Sequence, residues 1–247
     1  MRRGSRRGEP LRVLLYHHVG RFARPARQLG LYCHADAFAR QMAYLARSPL
    51  TVVSLDRALA AITGQAPLGA PSVVLTFDDG FEDFREYAWP VLRAHGFPAT
   101  MFAVADRLGA RADWLTSPSA GDDRLMDAAT LRALADDGLD IGAHSATHPR
   151  LSRLPPAKRD AEIADARNRL QDALGRPVKH FAYPYGDYDA DVRDRVAAAG
   201  FASALTCIRD RAERAANAYE IPREGISYKD GRLRYAYKTR WRHNRRR

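Results

Sequence analysis

Hydrophobic and polar positions divide the chain into two alternating kinds of segment. Short apolar runs bounded by Pro, Gly or polar residues predict buried strands, and longer stretches with apolar residues three and four positions apart predict helices. The predicted strands comprise residues 11–16, 51–53, 73–77, 99–104, 140–143, 180–183, 201–206 and 219–221. The predicted helices comprise residues 35–45, 55–62, 82–95, 128–137, 156–174 and 191–199. This alternation predicts one α/β domain with a mostly parallel sheet, either closed as a barrel or open and doubly wound.

The strand that ends at Phe77 leads directly into two carboxylates, Asp78 and Asp79, and then into Gly80. Carboxylates at the rim of a core cost free energy unless they are paired or hold a metal. One of them could simply cap the helix that follows, but capping accounts for only one. The carboxyl ends of the strands are also where α/β domains build active sites. The two acids are therefore candidate catalytic or metal-binding residues.

A histidine pair, His144 and His148, follows a later predicted strand. Two histidines four positions apart project to one side if the segment makes a helical turn, and imidazole suits zinc and other divalent transition metals. Because both polar sets follow parallel strands, we expect them at the same end of the sheet. One Asp and two His form a three-ligand site that leaves room for water, as in catalytic metal centres. If Asp79 is the third ligand, Asp78 is free to act as a general base, provided that the turn at Gly80 lets both acids reach the site.

Two further groups stand at predicted strand ends. Tyr183, Pro184 and Tyr185 form a turn whose aromatic faces suit stacking on a sugar ring and whose backbone N–H groups suit an oxyanion. An ordinary turn is the alternative. His17 and His18 follow the first strand and could be metal ligands, a general acid or plain polar residues.

These motifs together resemble those of the polysaccharide deacetylase family, the NodB-like carbohydrate esterases. The segment 76–80 (TFDDG) matches the first motif of that family, and 144–148 (HSATH) matches the second. The segment 181–186 (FAYPYG) resembles the third motif in the form found in a subgroup that opens with Tyr-His-x-Val, and 16–19 (YHHV) fits that opening. The similarity covers residues 11–225.

The resemblance implies a fold, a distorted (β/α) barrel with fewer than eight strands, and a site. A divalent metal ion, usually zinc in that family, is expected at Asp79, His144 and His148, with Asp78 as the base. By the same resemblance, activated water attacks the carbonyl of an acetyl group on a sugar.

The resemblance also implies how the remaining steps are assisted. The backbone N–H of Tyr185 is expected to help stabilise the oxyanion. In the Tyr-His-x-Val subgroup a histidine of the first strand protonates the leaving group, which points to His17, with His18 as the reserve.

Two departures from the family pattern concern the support of the base. The usual third motif carries an Arg that pairs with the base, but Ala182 and Tyr183 occupy that neighbourhood. We expect Arg223 to supply the guanidinium from another strand end. The usual Asp-Trp motif is absent after Gly186.

The expected function is that of a metal-dependent hydrolase that removes acetyl groups, most simply N-acetyl groups, from an amino sugar, a polysaccharide or a glycan intermediate. Two alternatives stay open. One is a metal-dependent amidase or esterase that acts on a non-glycan small molecule. The other is a degenerate domain that binds glycan or an anionic surface, although the presence of Asp78 speaks against degeneration.

The net charge of +11 belongs to the two ends of the 247-residue chain. Residues 1–10 hold four Arg and one Glu (+3), residues 229–247 hold nine Lys or Arg and one Asp (+8), and residues 11–228 are neutral. We therefore predict a basic disordered tail (1–10), a deacetylase-like domain (11–228) and a basic C-terminal tail (229–247). The tails could contact an anionic surface, and a neutral body does not favour nucleic acid as a partner. No apolar run approaches about 20 residues and no secretory signal is evident, so we expect a cytoplasmic protein.

Overall fold

The computed structural model describes residues 9–25, 27–115 and 122–240. Its strands are β1 (Leu11–Tyr16), β2 (His18–Gly20), β3 (Tyr32–His34), β4 (Thr51–Val52), β5 (Ser72–Phe77), β6 (Thr100–Ala103), β7 (Asp140–Ala143), β8 (His180–Ala182), β9 (Ser203–Leu205) and β10 (Glu224–Gly225). Its α-helices are α1 (Ala35–Ala46), α2 (Leu55–Ile62), α3 (Trp89–His95), α4 (Ala128–Asp136), α5 (Pro156–Asp160), α6 (Ala166–Leu174), α7 (Ala190–Ala198) and α8 (Arg232–Arg240).

Eight of the described strands form one parallel sheet. Its order is β10-β1-β5-β6-β7-β8-β9, with β4 also paired to β5. The sheet curls into a half-barrel, which agrees with the predicted barrel-like α/β class. The segment 221–225 joins the two edges, because Ile221 bridges to Leu205 at the end of β9 and Glu224 pairs with Leu14 in β1.

The central strands are buried on both faces, which explains their nearly continuous apolar sequences. In β1, Leu11 and Val13 pack into one apolar cluster, whereas Leu14 and Tyr16 pack into the other. Alternate side chains of a strand point to opposite faces, so one strand contributes to both layers of the core. This packing fixes the strand register and with it the positions of the residues that follow each strand.

Two helices that the sequence predicts as continuous contain a π-helical turn. Phe84–Ala88 precedes α3, and Ala161–Asp165 lies between α5 and α6. Such turns insert one extra residue per turn and are frequent at functional sites. The second of them carries Glu162, which contacts the candidate site.

The C-terminal part of the chain differs from prediction in two respects. The last strand is Glu224–Gly225, whereas 219–221 contributes only the bridge of Ile221. The predicted boundary at residue 228 is also wrong, because α8 packs on the domain through buried Tyr235 and Lys238. Lys238 Nζ lies 2.7 Å from Asp230 Oδ2, so the salt bridge compensates the buried charge.

The folded domain therefore extends at least to Arg240. Residues 1–8 of the predicted N-terminal tail and residues 241–247 lie outside the described residues. Among the residues that are described, no helix is long and apolar enough to cross a bilayer.

Candidate active site

Four of the parallel strands deliver polar residues to the same end of the half-barrel. His17 follows β1, Asp78 and Asp79 follow β5, and His144 follows β7. The turn at Tyr185 follows β8. The site therefore arises from the parallel sheet order, as the sequence predicts.

Both adjacent acids reach the site because the chain turns sharply after Asp78. Asp79 has φ 74° and Gly80 has φ 89°, so two successive residues adopt left-handed conformations. An extended segment would point the two carboxylates in opposite directions. Asp tolerates the left-handed region better than most residues, and glycine adopts it without steric cost. The turn at Gly80 therefore lets both carboxylates reach the site, which was the condition for giving Asp78 and Asp79 different roles.

Asp79, His144 and His148 bring one possible ligand atom each to within 4.8 Å of one another. His148 Nε2 lies 3.3 Å from Asp79 Oδ1, and His144 Nε2 lies 3.5 Å from the same oxygen. Ligand atoms about 2.0–2.1 Å from a tetrahedral zinc ion lie about 3.3 Å from one another. Asp79 Oδ1 is buried and accepts no hydrogen bond among the described residues. The spacing, the donor types and this orphaned oxygen all fit a divalent metal ion.

The imidazole of His144 is oriented by the main chain. Its Nδ1 lies 2.7 Å from the carbonyl oxygen of Ala182, which can only accept, so Nδ1 carries the proton. The lone pair of Nε2 is then directed towards Asp79, which is the usual arrangement of a metal-binding histidine. Burial lowers the pKa of His144 to about 4, which keeps the ring neutral at pH 7.

The two histidines converge for a different reason from the one predicted. The segment 144–148 makes no helical turn. Instead Ser145 (φ 63°) and His148 (φ 65°) adopt left-handed conformations, and Ser145 Oγ accepts the His148 N–H at 2.9 Å. Among the described residues, five non-glycine residues have positive φ, and four of them lie in this site: Asp79, Ser145, His148 and Tyr185. Strained backbone concentrated in this way is typical of functional sites.

Glu162 holds this histidine loop from the π-helical turn. Its Oε2 accepts the backbone N–H groups of Ala146 (3.0 Å) and Thr147 (2.9 Å), and its Oε1 accepts the hydroxyl of Thr147 at 2.6 Å. Hydrogen bonds to an ionised carboxylate are stronger than neutral ones. Glu162 therefore offsets the cost of the left-handed residues on either side of Ala146 and Thr147.

Arg223 forms a bidentate ion pair with Asp78. Nη1 lies 2.7 Å from Oδ1, and Nη2 lies 2.7 Å from Oδ2. The guanidinium is fully buried, and its Nε donates to the carbonyl oxygen of Thr206 at 2.9 Å. The structure thus places Arg223 at the predicted position, on the segment that joins the two sheet edges.

The charges around the two acids keep both of them ionised. Burial raises the pKa of Asp78, but the nearby charge of Arg223 outweighs it and leaves the pKa below its ordinary value. Burial likewise raises the pKa of Asp79, but the close approach of His148 Nε2, at 3.3 Å from Oδ1, outweighs it, and the pKa falls well below its usual range.

The two histidines after β1 occupy different environments. Burial lowers the pKa of His17, although Asp79 and Asp78 oppose the shift through their negative charges. Its buried Nδ1 has no hydrogen-bond partner among the described residues.

His18 is enclosed away from this cluster. Its Nδ1 lies 2.7 Å from Asp83, and its ring stacks between Tyr32 and Phe81. The geometry therefore favours His17 over His18 as the acid.

The turn after β8 differs from prediction at two of its three residues. Tyr183 is buried, donates its hydroxyl to the carbonyl oxygen of Tyr219 and stacks on Tyr188, so its ring is not a groove wall. Pro184 is also buried. Tyr185 is 45% exposed, and its ring centroid lies 4.6 Å from that of His148.

Three residues that lie beside the site were not predicted from the sequence. Trp114 stacks on His148 at 4.4 Å, the guanidinium carbon of Arg150 lies 4.4 Å from the Tyr185 ring centroid, and Glu162 holds the histidine loop. A single Trp within the Gly- and Asp-rich segment 106–124 is a signal that could have identified Trp114. Nothing in the sequence distinguishes Glu162 from other acids on helices.

The fold and the site define an α/β half-barrel with a buried Asp-His-His group and a neighbouring Asp-Arg pair at the carboxyl ends of its strands. The sequence model for polysaccharide deacetylase matches residues 65–204. The chain belongs to the polysaccharide deacetylase family.

Individual relatives and structures agree with this assignment. The Bacillus subtilis protein YxkH is 23% identical over 217 residues, which cover 88% of this chain and 71% of YxkH. The chitooligosaccharide deacetylase of Sinorhizobium fredii is 33% identical over 137 residues, 55% of this chain and 56% of that enzyme. The Streptococcus pyogenes deacetylase PplD, solved in complex with acetate, superposes with a TM-score of 0.81 at 19% identity, covering 94% of this chain and 99% of PplD. The last similarity concerns the fold alone, and the match to the chitooligosaccharide deacetylase spans only about half of that enzyme.

Proposed function

We propose that this protein is a metal-dependent hydrolase that removes N-acetyl groups from a glucosamine-containing glycan. The observation that carries the proposal is the buried group of Asp79, His144 and His148 beside an ionised Asp78. Three protein ligands that leave one position for water are the pattern of catalytic zinc sites, and an ionised acid beside them can take a proton from that water. The chitooligosaccharide deacetylase among its relatives supports an N-acetylated sugar as the substrate.

The bound divalent ion, with zinc as the first candidate, would polarise the acetyl carbonyl and make water more acidic. Asp79, His144 and His148 would hold it. The hydrogen bond from His144 to Ala182 fixes one ligand ring. Trp114 stacks on His148 and restrains the other.

Asp78 accepts the proton of the attacking water. Its bidentate pair with Arg223 keeps the carboxylate ionised and fixes its orientation, since both oxygens are held at 2.7 Å. His144 Nε2 lies 3.9 Å from Asp78 Oδ2, so the base stands next to the ligand group. Because both of its oxygens pair with Arg223, Asp78 stays outside the ligand set and is available for proton transfer.

His17 delivers a proton to the departing amine. It follows β1, the strand that pairs with β5 along its full length. Burial lowers the pKa of His17 against the opposing charges of Asp79 and Asp78, which makes its protonated form a stronger acid towards the amine. The backbone N–H of Tyr185 donates to the oxyanion, and the exposed ring of Tyr185 stacks on a sugar face.

The proposal is tested by metal binding and substrate class together. Purified protein is stripped of metal and titrated with Zn²⁺ by calorimetry. It is then assayed for acetate release from N-acetylglucosamine oligomers, from O-acetylated glycans and from small acetanilides and acetate esters. We expect about one Zn²⁺ per chain and release from the N-acetylglucosamine oligomers. Release confined to the small amides or esters would replace the glycan by another substrate class, and the absence of Zn²⁺ binding would refute the proposal.

A further inference from the structure

The C-terminal helix α8 exposes apolar side chains on its outer face. Leu233 is 87% exposed and Tyr237 is 53% exposed. They are four residues apart, so they lie one above the other on the helix surface. Among the described residues, the large apolar side chains exposed to this degree are these two, Tyr185 in the candidate site and Ile208.

The opposite face of α8 is anchored to the domain. Tyr235, Lys238 and Thr239 are buried, and the Tyr235 hydroxyl lies 3.3 Å from that of Tyr16. At 100° per residue these three positions centre on one side of the helix, and Leu233 and Tyr237 centre on the other. Leu233 and Tyr237 are therefore exposed because α8 packs on the domain through its opposite face.

Positive charge surrounds this face. Arg232, Arg234 and Arg240 are exposed on the same helix. The sequence continues beyond the described residues with Trp241, and the segment 242–247 holds four more arginines. Within residues 229–247, Asp230 is the sole acid; it pairs with Lys238 inside the domain and with Arg234 at 2.8 Å, so positive charge still exceeds negative charge around this face.

We propose that the outer face of α8 docks on an anionic lipid surface. Two apolar side chains suit shallow insertion at the headgroup level, where Tyr is favoured, and arginines on the flanks attract anionic headgroups. Exposed Leu233 distinguishes this from a purely electrostatic nucleic-acid contact, which does not require a bare aliphatic side chain. The proposal is independent of the catalytic function.

The test measures binding to vesicles. The full chain is sedimented with vesicles of phosphatidylcholine alone and with vesicles containing about one third phosphatidylglycerol, whose headgroups supply a negative surface potential. We expect binding only to the anionic vesicles, weakening as the salt concentration rises. The double variant Leu233→Ala/Tyr237→Ala should bind about tenfold or more weakly because it loses the inserted apolar area.

Ile208→Ala is the matched control. Ile208 is 55% exposed and lies outside α8, so this variant should bind as the wild type does. Alanine preserves helix propensity, and circular dichroism with thermal melting verifies that both variants fold. A loss of binding in the double variant alone supports the proposal.

Three results would overturn it. The wild type could fail to bind anionic vesicles. The double variant could bind them as tightly as the wild type, which would leave the arginines as the whole cause. Finally, vesicle binding could be absent in both proteins while the wild type forms a dimer in ultracentrifugation, or binds a single-stranded oligonucleotide, and the double variant does not. The outer face of α8 would then bind a second copy of the chain or a nucleic acid.

Discussion

Removal of Arg223 is the sharpest perturbation of the site that the structure offers. The guanidinium is fully buried and makes two 2.7 Å contacts with Asp78, which is itself only 2% exposed. In Arg223→Ala, the carboxylate is left in the core without its main counter-charge. Burial already pushes the pKa of Asp78 upward, so we expect this pKa to rise without Arg223 and the base to lose both its ionised form and its orientation.

The expected magnitudes follow from the burial of the pair. Removing one partner of a buried ion pair costs about 3–5 kcal/mol of unfolding free energy. Loss of a positioned general base lowers the rate by about 10²–10⁴-fold. Arg223→Lys keeps the charge but not the two-pronged geometry, and we expect an intermediate loss of about tenfold.

The assay is kcat/KM for acetate release by the metal-loaded enzyme, with the folded fraction measured at the same temperature. Arg159→Ala is the control, because Arg159 is also largely buried and pairs with two acids, Asp189 and Asp191, that belong to neither the Asp-His-His group nor the Asp78–Arg223 pair. It should lose stability but keep kcat/KM. In the double variant Asp78→Asn/Arg223→Ala, activity should fall little below that of Asp78→Asn alone, because both changes remove the same function.

A folded Arg223→Ala enzyme with kcat/KM within about threefold of the wild type would refute this reasoning. So would additive losses in the double variant, since independent losses mean that Arg223 does not act through Asp78. If Arg223→Ala does not fold, the comparison of Arg223→Lys with the wild type still decides the question.

Three further predictions follow from other contacts. Glu162→Ala should lower Zn²⁺ affinity by about 10–100-fold in calorimetry, whereas the matched change Glu86→Ala on the other π-helical turn should not; equal affinities would exclude a positioning role for Glu162. His17→Asn should lower kcat by about 10²–10⁴-fold with Zn²⁺ affinity unchanged, whereas His18→Asn should mainly lower the melting temperature; an active His17→Asn enzyme would remove His17 as the acid. Burial lowers the pKa of His180 below 6.5, so the unfolded chain binds more protons there and the unfolding free energy of the metal-free protein should fall from pH 7 to pH 5. In urea titrations the unfolding free energy of the His180→Gln variant should fall less between pH 7 and pH 5. An equal fall in both proteins would show that His180 is not the cause.

The apolar pattern predicts most of the fold because it reports burial directly. Continuous apolar runs such as β5 lie between two layers, and parallel pairing then fixes which polar residues share an end of the sheet. The residue type also indicates several helix starts. Ser54, Asp127 and Asp189 are of the types preferred at helix N-caps, and each accepts a backbone N–H of the first turn. The family and the α/β half-barrel class are both confirmed.

The errors fall where tertiary contacts override local sequence. The segment around α8 is so basic that it resembles a solvated tail, yet Tyr235 and the buried pair of Lys238 with Asp230 attach it to the domain. Tyr183 could not be distinguished from Tyr185 by residue type, because only the fold decides which ring faces the core.

The contact between Glu162 and the histidine loop could not be predicted either, because it is also a tertiary contact. Glu162 reaches the histidine loop from a helix, across 15 or 16 residues of sequence, and only the fold creates that contact.

The most direct test of the central claim compares acetate release by the wild type and by Asp78→Asn from N-acetylglucosamine oligomers, each protein stripped of metal and then reloaded with Zn²⁺. The account predicts that the stripped wild type is inactive, that Zn²⁺ restores release, and that Asp78→Asn binds Zn²⁺ normally but stays at least about 10²-fold less active. Release that persists without metal, or that survives in the loaded Asp78→Asn protein, would contradict it.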